Sequence, residues 1–175
     1  MRTPPREGSA ATGVDAALRS NADDLLAFAE RRVGLDDAPD VLAEVMVVAW
    51  RRATDLPRDP VEARMWLFGV ARGVVANALR GQIRRHRLAD RLRALAPTGP
   101  QAHSAPADRG LEVRDAIDHL DPELAELVRL VHWDGFSLND AAHLLDTPPS
   151  TIRSRYARAR DQLAAALLYA ASEPT

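Results

Sequence analysis

Arginine and hydroxyl side chains are interspersed near the end of the chain, and together they can bind a nucleic acid. Between Pro149 and Arg160 there are four Arg and no acidic residue. Guanidinium groups bond guanine edges or phosphates, and hydroxyl groups bond bases or the sugar-phosphate backbone. We therefore predict a DNA-reading surface in this segment. Its candidate residues are Ser150, Thr151, Arg153, Ser154, Arg155 and Arg158.

Residues 137–160 have the spacing of a helix-turn-helix, which would present these side chains to DNA. Ala142 is small enough for a close crossing of two helices. Four residues later, Asp146 tolerates the left-handed conformation of a tight turn better than most residues. Ile152 can then anchor the second helix on the first. The alternative is an ordinary helical hairpin whose Arg-rich side is simply solvated.

A second basic cluster lies in the first half of the chain. Residues 64–93 contain eight Arg and one acidic residue, whereas residues 15–44 contain eight acidic residues and three Arg. The basic part should attract a phosphate backbone, and the acidic part suits a basic protein partner. Two alternatives stay open: the clusters pair with each other, or the Arg run is the solvated end of a helix.

The composition favours helices over strands. Apolar residues make up 46% of the chain and aromatic residues only 5%, and the abundant Ala and Leu are good helix formers. The absence of cysteine excludes disulfides, thiolate zinc sites and cysteine nucleophiles. No apolar run reaches the roughly 18–20 residues that cross a bilayer. We therefore expect no membrane insertion and a cytoplasmic location.

These patterns predict an all-α fold of two small helical domains joined by a flexible linker. We assign residues 1–15 to a disordered tail, 16–95 to the first domain, 96–110 to the linker and 111–170 to the second domain, which holds the helix-turn-helix. The linker contains three Pro and two Gly and shows no periodicity.

Local signals predict where several helices begin and end. Gly34 suits a helix C-terminus, and Asp59-Pro60 is a typical helix start. The long helix that follows should bend or break near Gly81, because glycine weakens helices. Ser137 and Asp140 resemble a capping box at the start of the helix-turn-helix.

Both halves also resemble a known family, the extracytoplasmic-function (ECF) sigma factors of bacterial RNA polymerase. Their two helical domains are called regions 2 and 4. The matching segments are residues 38–50, 64–80, 120–128 and 151–160, of which Thr151-Ile-Arg-Ser-Arg-Tyr-Ala-Arg-Ala-Arg is the most specific.

The resemblance implies a binding function with RNA polymerase core and promoter DNA as partners. Region 2 would hold the polymerase clamp and bind and melt the −10 element. Region 4 would rest on the polymerase flap and read the −35 element in the major groove. The family also admits an anti-sigma factor as a partner. It implies no enzymatic activity, no cofactor and no metal.

Residue by residue, the resemblance extends the candidate site into the first domain. The family's −10 contacts correspond to Arg72, Asn77, Arg80 and Arg84. Its clamp contacts correspond to Asp40, Val41 and Glu44. Trp50 and Trp66 are expected in the core.

The chain departs from the family pattern in the −10 segment. Gly73 stands where Asn is common, Asn77 where Asp is common, and Gly69 where Arg is common. Gly73 and Asn77 leave open the alternative of a sigma-like protein that docks on polymerase but has lost its transcriptional activity.

Two further functions are compatible with parts of the pattern. A helix-turn-helix regulator would bind duplex DNA without docking on polymerase. A helical enzyme would use some of the five histidines, such as His119, which follows Asp115 at helical spacing, or His132 and His143. No metal-ligand motif of the HExxH type accompanies them.

Overall fold

The computed structural model describes residues 7–93 and 109–172, with side chains described over 12–85 and 113–168. Within these ranges the regular elements are all helices, and there is no strand. The chain divides into two units, residues 1–99 and 100–175. The prediction of an all-α fold with two helical domains is therefore confirmed.

The first unit packs three helices, α1 (Glu7–Val33), α2 (Ala38–Arg51) and α3 (Pro60–Arg93), and a short 3-10 turn spans Ala53–Asp55. Each helix contacts both others. Their largest fully buried side chains include Leu25, Phe28, Val45, Leu67 and Phe68. The rings of Phe28 and Phe68 meet edge to face with centroids 5.3 Å apart, so aromatic packing joins α1 to α3.

Local turn chemistry sets the ends of these helices. Gly34 has a φ of 88°, the left-handed conformation that glycine adopts without steric cost, and α1 ends beside it. Asp59 caps α3, since its Oδ1 accepts hydrogen bonds from the amides of Val61 at 2.9 Å and Glu62 at 3.0 Å. Both predicted boundaries are confirmed.

Two expectations about the first unit are wrong in part. The predicted tail over 1–15 is helical from Glu7 onward, and residues 1–6 lie outside the described residues. The predicted break near Gly81 is absent, because α3 continues through it. The next residue, Gln82, bonds Asp37 at 2.5 Å and the carbonyl of Val33 at 3.2 Å, which holds this part of α3 against the turn between α1 and α2.

The second unit consists of α4 (Arg109–Asp118), α5 (Pro122–His132), α6 (Leu138–Leu144) and α7 (Pro149–Ser172). Helix α7 contacts the other three, and Ala159 on it packs into a core with Ile117, Leu124 and Val128. Of the predicted linker, residues 96–108 lie outside the described residues. Arg109 and Gly110 belong to α4, so the linker prediction is wrong there.

The buried anchor of α7 should dominate the stability of the second unit. Ile152 is fully buried, whereas Leu168 on the same helix is 72% exposed. We expect Ile152→Ala to lower the free energy of unfolding by about 2–5 kcal/mol, because it removes buried methyl groups and leaves a cavity. Leu168→Ala is the matched control and should change it by less than about 0.5 kcal/mol. Urea denaturation followed by circular dichroism measures both, and equal effects would contradict this packing.

Candidate nucleic-acid interface

The helix-turn-helix forms as its residue spacing predicts. Ser137 and Asp140 make a capping box at the start of α6: the Ser137 hydroxyl accepts from the Asp140 amide at 3.1 Å, and the Asp140 carboxylate accepts from the Ser137 amide at 3.0 Å. Asp146 has a φ of 48°, the left-handed conformation that the turn requires. Ala142 and Ile152 are buried at the crossing of α6 and α7.

The first turns of α7 present most of the predicted DNA-reading residues to solvent. Ser150, Arg153, Ser154 and Arg158 are exposed, and Thr151 and Arg155 are half-buried. The Ser154 hydroxyl donates to the carbonyl of Thr151 at 2.9 Å, so its oxygen is left to accept from a base or a bound water. The folded helix therefore brings all six candidate residues onto its first three turns.

Two of these arginines are held by acidic residues from the start of α5. Arg155 Nη2 lies 2.7 Å from Glu123 Oε2, and Arg158 Nη2 lies 2.6 Å from Asp121 Oδ2. No ion pair of Arg153 is found among the described residues. These partners of the DNA-reading side chains were not predicted, because they lie far away in the sequence.

The −10 candidates of the first unit share one side of α3. Arg72, Asn77, Arg80 and Arg84 are all exposed, and at 3.6 residues per turn they fall within about 140° of the helix circumference. Asn77 Oδ1 accepts a hydrogen bond from Arg80 Nη2. The structure therefore places the four predicted residues on a common exposed surface.

Two glycines lie on that same side of α3. A Cβ atom added at Gly69 or Gly73 would meet nothing within 4 Å. Packing within the described residues therefore does not require glycine at either position. Glycine also lowers the stability of a helix by about 1 kcal/mol relative to alanine. The surface between the arginines is consequently low and accessible down to the backbone.

Some of the predicted pairing between the acidic and basic clusters does occur. Arg64 bonds Asp24 at 2.6 Å and Asn21 Oδ1 at 2.9 Å, and Arg85 lies 3.6 Å from Asp37. These contacts tie α3 to α1 and to the turn before α2. The alternative in which the clusters pair with each other is thus correct for these two arginines.

One of the three residues of α2 that were predicted to dock on a partner is buried. Asp40 and Glu44 are exposed as expected, but Val41 is only 4% exposed and belongs to the core. Val41 is therefore not accessible to a docking partner, contrary to the prediction. Its place one residue after Asp40 turns it about 100° around the helix, toward α1 and α3.

The core prediction for Trp50 is wrong. Its side chain is 46% exposed and Val47 is 47% exposed, and both continue the line of Asp40 and Glu44 at helical spacing. Trp66 is half-buried, with the guanidinium of Arg52 5.5 Å from its ring centroid. The sequence did not indicate that Val47 and Trp50 are exposed, because α2 is apolar over most of its circumference.

The histidines do not form a site within the described residues. His119 Nδ1 lies 2.7 Å from the backbone carbonyl of Asp115; this hydrogen bond and the nearby Asp115 carboxylate raise the pKa of the imidazole above its usual value. His132 bonds the hydroxyl of Tyr156 at 2.8 Å. No group of three His, Asp or Glu side chains that could hold a metal is found in the described part of the chain.

Family models match both units. The model for sigma-70 region 2 matches residues 17–94, and the model for sigma-70 region 4 matches residues 110–163. A probable RNA polymerase sigma-C factor from Mycobacterium bovis is 31% identical over 154 residues, which are 87% of this chain and 82% of the relative. This chain belongs to the ECF sigma factors.

A second relative and a solved structure are also similar to this chain. An ECF RNA polymerase sigma-E factor from Haemophilus influenzae is 28% identical over 144 residues, 76% of each chain. In fold, the sigma factor resembles RpoE from Bartonella quintana, solved in complex with the anti-sigma factor NepR, with a TM-score of 0.66 and 24% identity over 87% of this chain and 95% of that one.

The family resemblance seen in the sequence is therefore confirmed. As a sigma factor, the protein directs RNA polymerase to promoter DNA. Its first unit is region 2 and its second unit is region 4. Among the described residues, no helix is long and apolar enough to span a membrane.

The open space above Gly73 predicts a stabilising substitution in this sigma factor. Gly73→Ala should raise the free energy of unfolding by up to about 1 kcal/mol, because alanine favours the helix and meets no neighbouring atom. Gly34→Ala is the control: its site is also open, but the φ of 88° should make it destabilising by about 1–2 kcal/mol. Thermal denaturation of both variants measures the difference, and a destabilised Gly73→Ala would contradict the open site.

Proposed function

We propose that the two regions bind separate stretches of one promoter. Region 4 places the first turns of α7 in the major groove of the −35 element, with Ser150, Thr151, Arg153, Ser154, Arg155 and Arg158 as its contacts. The observation that carries this proposal is the exposed Arg153 and Ser154 on a helix whose opposite side is fixed by the buried Ile152. Arg and Ser side chains at such positions bond guanine edges and phosphates.

Region 2 binds the unpaired strand of the −10 element along α3. Arg72, Arg80 and Arg84 supply positive charge, and Asn77 supplies an amide that can bond a base or the backbone. Gly69 and Gly73 allow the strand to approach the helix closely, since no side chain stands above them. Binding energy to the single strand, from extruded bases as well as backbone neutralisation, then favours the melted state without nucleotide hydrolysis.

The exposed side of α2 docks on the polymerase clamp. Asp40 and Glu44 provide negative charge, and Val47 and Trp50 provide apolar surface one to two turns further along. Tryptophan is frequent among the residues that contribute most to protein interfaces. The combination suits a partner surface that is basic with an apolar centre.

The protein acts in the cytoplasm, by binding and not by catalysis. These proposals are supported by its membership of the sigma family, whose members act on RNA polymerase and DNA. An anti-sigma factor is a further proposed partner, supported by the similar fold of RpoE, which was solved with NepR. The flap contact of region 4 is proposed on the same family basis.

Run-off transcription with core polymerase on a pool of genomic promoters tests the proposed DNA reading. Arg153→Ala combined with Arg155→Ala should lower initiation at least about tenfold, because each Arg–guanine contact contributes roughly 1–3 kcal/mol. Arg58→Ala combined with Arg114→Ala removes the same charge outside both DNA-binding helices and should leave initiation near wild type. No initiation from any promoter by the wild-type protein would instead favour the docking-competent but inactive alternative.

Binding to core polymerase at low ionic strength tests the docking surface. Trp50→Ala should weaken binding by about tenfold or more, as expected for an exposed aromatic residue central to an interface. It should lower the free energy of unfolding by no more than about 2 kcal/mol, since the residue is 46% exposed and only the rest of its side chain is buried. Circular dichroism checks that the variant folds.

A second variant tests the contribution of the two acidic residues of α2 to polymerase binding. Asp40→Ala with Glu44→Ala should also weaken binding, and more strongly at low salt, because screening reduces the effect of exposed charges. Glu62→Ala, on the exposed first turn of α3, should bind normally. Full binding by the Asp40 and Glu44 variant would overturn the role proposed for the acidic side of α2.

A further inference from the structure

The ion pairs between α5 and α7 reduce the positive charge that region 4 offers to DNA. Arg155 and Arg158 lie 2.7 Å and 2.6 Å from the carboxylates of Glu123 and Asp121. A phosphate that contacts either guanidinium must therefore displace the carboxylate or share the guanidinium with it. Among the described residues, Arg153 and Arg160 have no such partner.

The conformation of Asp121 shows that its carboxylate is directed at α7. Asp121 is the N-cap of α5, a position where an aspartate ordinarily accepts a hydrogen bond from an amide of the first turn. Its side chain makes no capping hydrogen bond. Instead, Oδ2 accepts from Arg158 Nη2 of α7, 37 residues away in the sequence.

The two pairs differ in how firmly they hold their arginine. The side chain of Arg155 is 35% exposed, whereas that of Arg158 is 63% exposed, and both carboxylates are mostly exposed. Exposed ion pairs are weak and compete with solvent and salt. DNA can therefore break them, but only if its own contacts compensate for the lost partner.

We propose that Asp121 and Glu123 are specificity-determining residues, which act as an internal competitor for the DNA phosphates. Sequence-independent binding depends on the number of phosphates that Arg neutralises and on the counterions thereby released. Pairing within the protein lowers this contribution for Arg155 and Arg158 on every DNA sequence. A −35 element whose bases and phosphates fit both arginines compensates for the lost ion pairs, and other sequences do not.

This inference rests on the proposed reading of duplex DNA by α7. Its test uses the full chain with Asp121→Asn and Glu123→Gln together, which keep the shapes of both side chains and remove their charges. The control is Asp115→Asn with Asp118→Asn, two exposed carboxylates of α4 whose partners His119 and Arg129 lie outside α7. Both variants have the same net charge, so a difference between them reports the α7 pairs.

The first measurement is fluorescence anisotropy on a duplex that contains no promoter, between about 50 and 200 mM salt. The Asp121 and Glu123 variant should bind roughly two- to tenfold more tightly than the control variant, as expected for the loss of two weak ion pairs. The slope of log affinity against log salt should also become steeper, by up to about 1.8. Equal affinity and slope in the two variants would overturn the proposal.

The second measurement is run-off transcription by the reconstituted holoenzyme in the presence of promoterless competitor DNA. The variant should need less competitor than the control for half inhibition, because it has lost discrimination. If competitor DNA inhibits the variant no more strongly than the control, the proposed role of Asp121 and Glu123 is contradicted. Circular dichroism confirms that both variants fold.

The Arg153→Ala and Arg155→Ala double variant separates this inference from the proposed function. If that double variant leaves run-off transcription unchanged, α7 does not read the promoter and both proposals fail. If it reduces transcription while the Asp121 and Glu123 variant behaves like its control, only the internal competitor is excluded.

Discussion

The structure of region 4 depends on one constraint: α7 must close a hydrophobic core and present arginines to solvent along the same few turns. Ile152 and Ala159 are fully buried and lie seven residues apart, which places them on one side of the helix. Arg153 and Arg158, next to them in sequence, point away from that side and are exposed. The packing of these two apolar side chains thus fixes which direction the charged residues face.

Some arginines of this protein join helices and others are exposed for binding. Whether an acidic residue packs against the arginine in the fold decides between these roles. Arg64 is held by Asp24 and Asn21 and helps to join α3 to α1. Arg84, on the same helix, is exposed. Residue type alone does not separate these roles, since a guanidinium bonds a carboxylate and a phosphate through the same donors. The acidic residues around each arginine therefore shape both the fold and its binding surface.

Much of the fold could be predicted from the sequence, because helix ends depend on neighbouring residues. Gly34, the pair Asp59-Pro60, and Ser137 with Asp140 each satisfy backbone groups within one turn of the chain. The left-handed Asp146 is equally local. The predicted break does not occur at Gly81: α3 continues through it, Gln82 beside it bonds Asp37, and one glycine weakens a helix by only about 1 kcal/mol.

The sequence by itself determined the two helical units, their turns, the family and the arginines of α3 and α7. Only the tertiary structure decided that Val41 is buried and Trp50 is exposed, since α2 is apolar on several sides and its neighbours select which one is covered. It also decided that Asp121 and Glu123 reach the arginines of α7. Contacts between residues so distant in the chain arise from how helices pack, and local sequence patterns carry no information about that geometry.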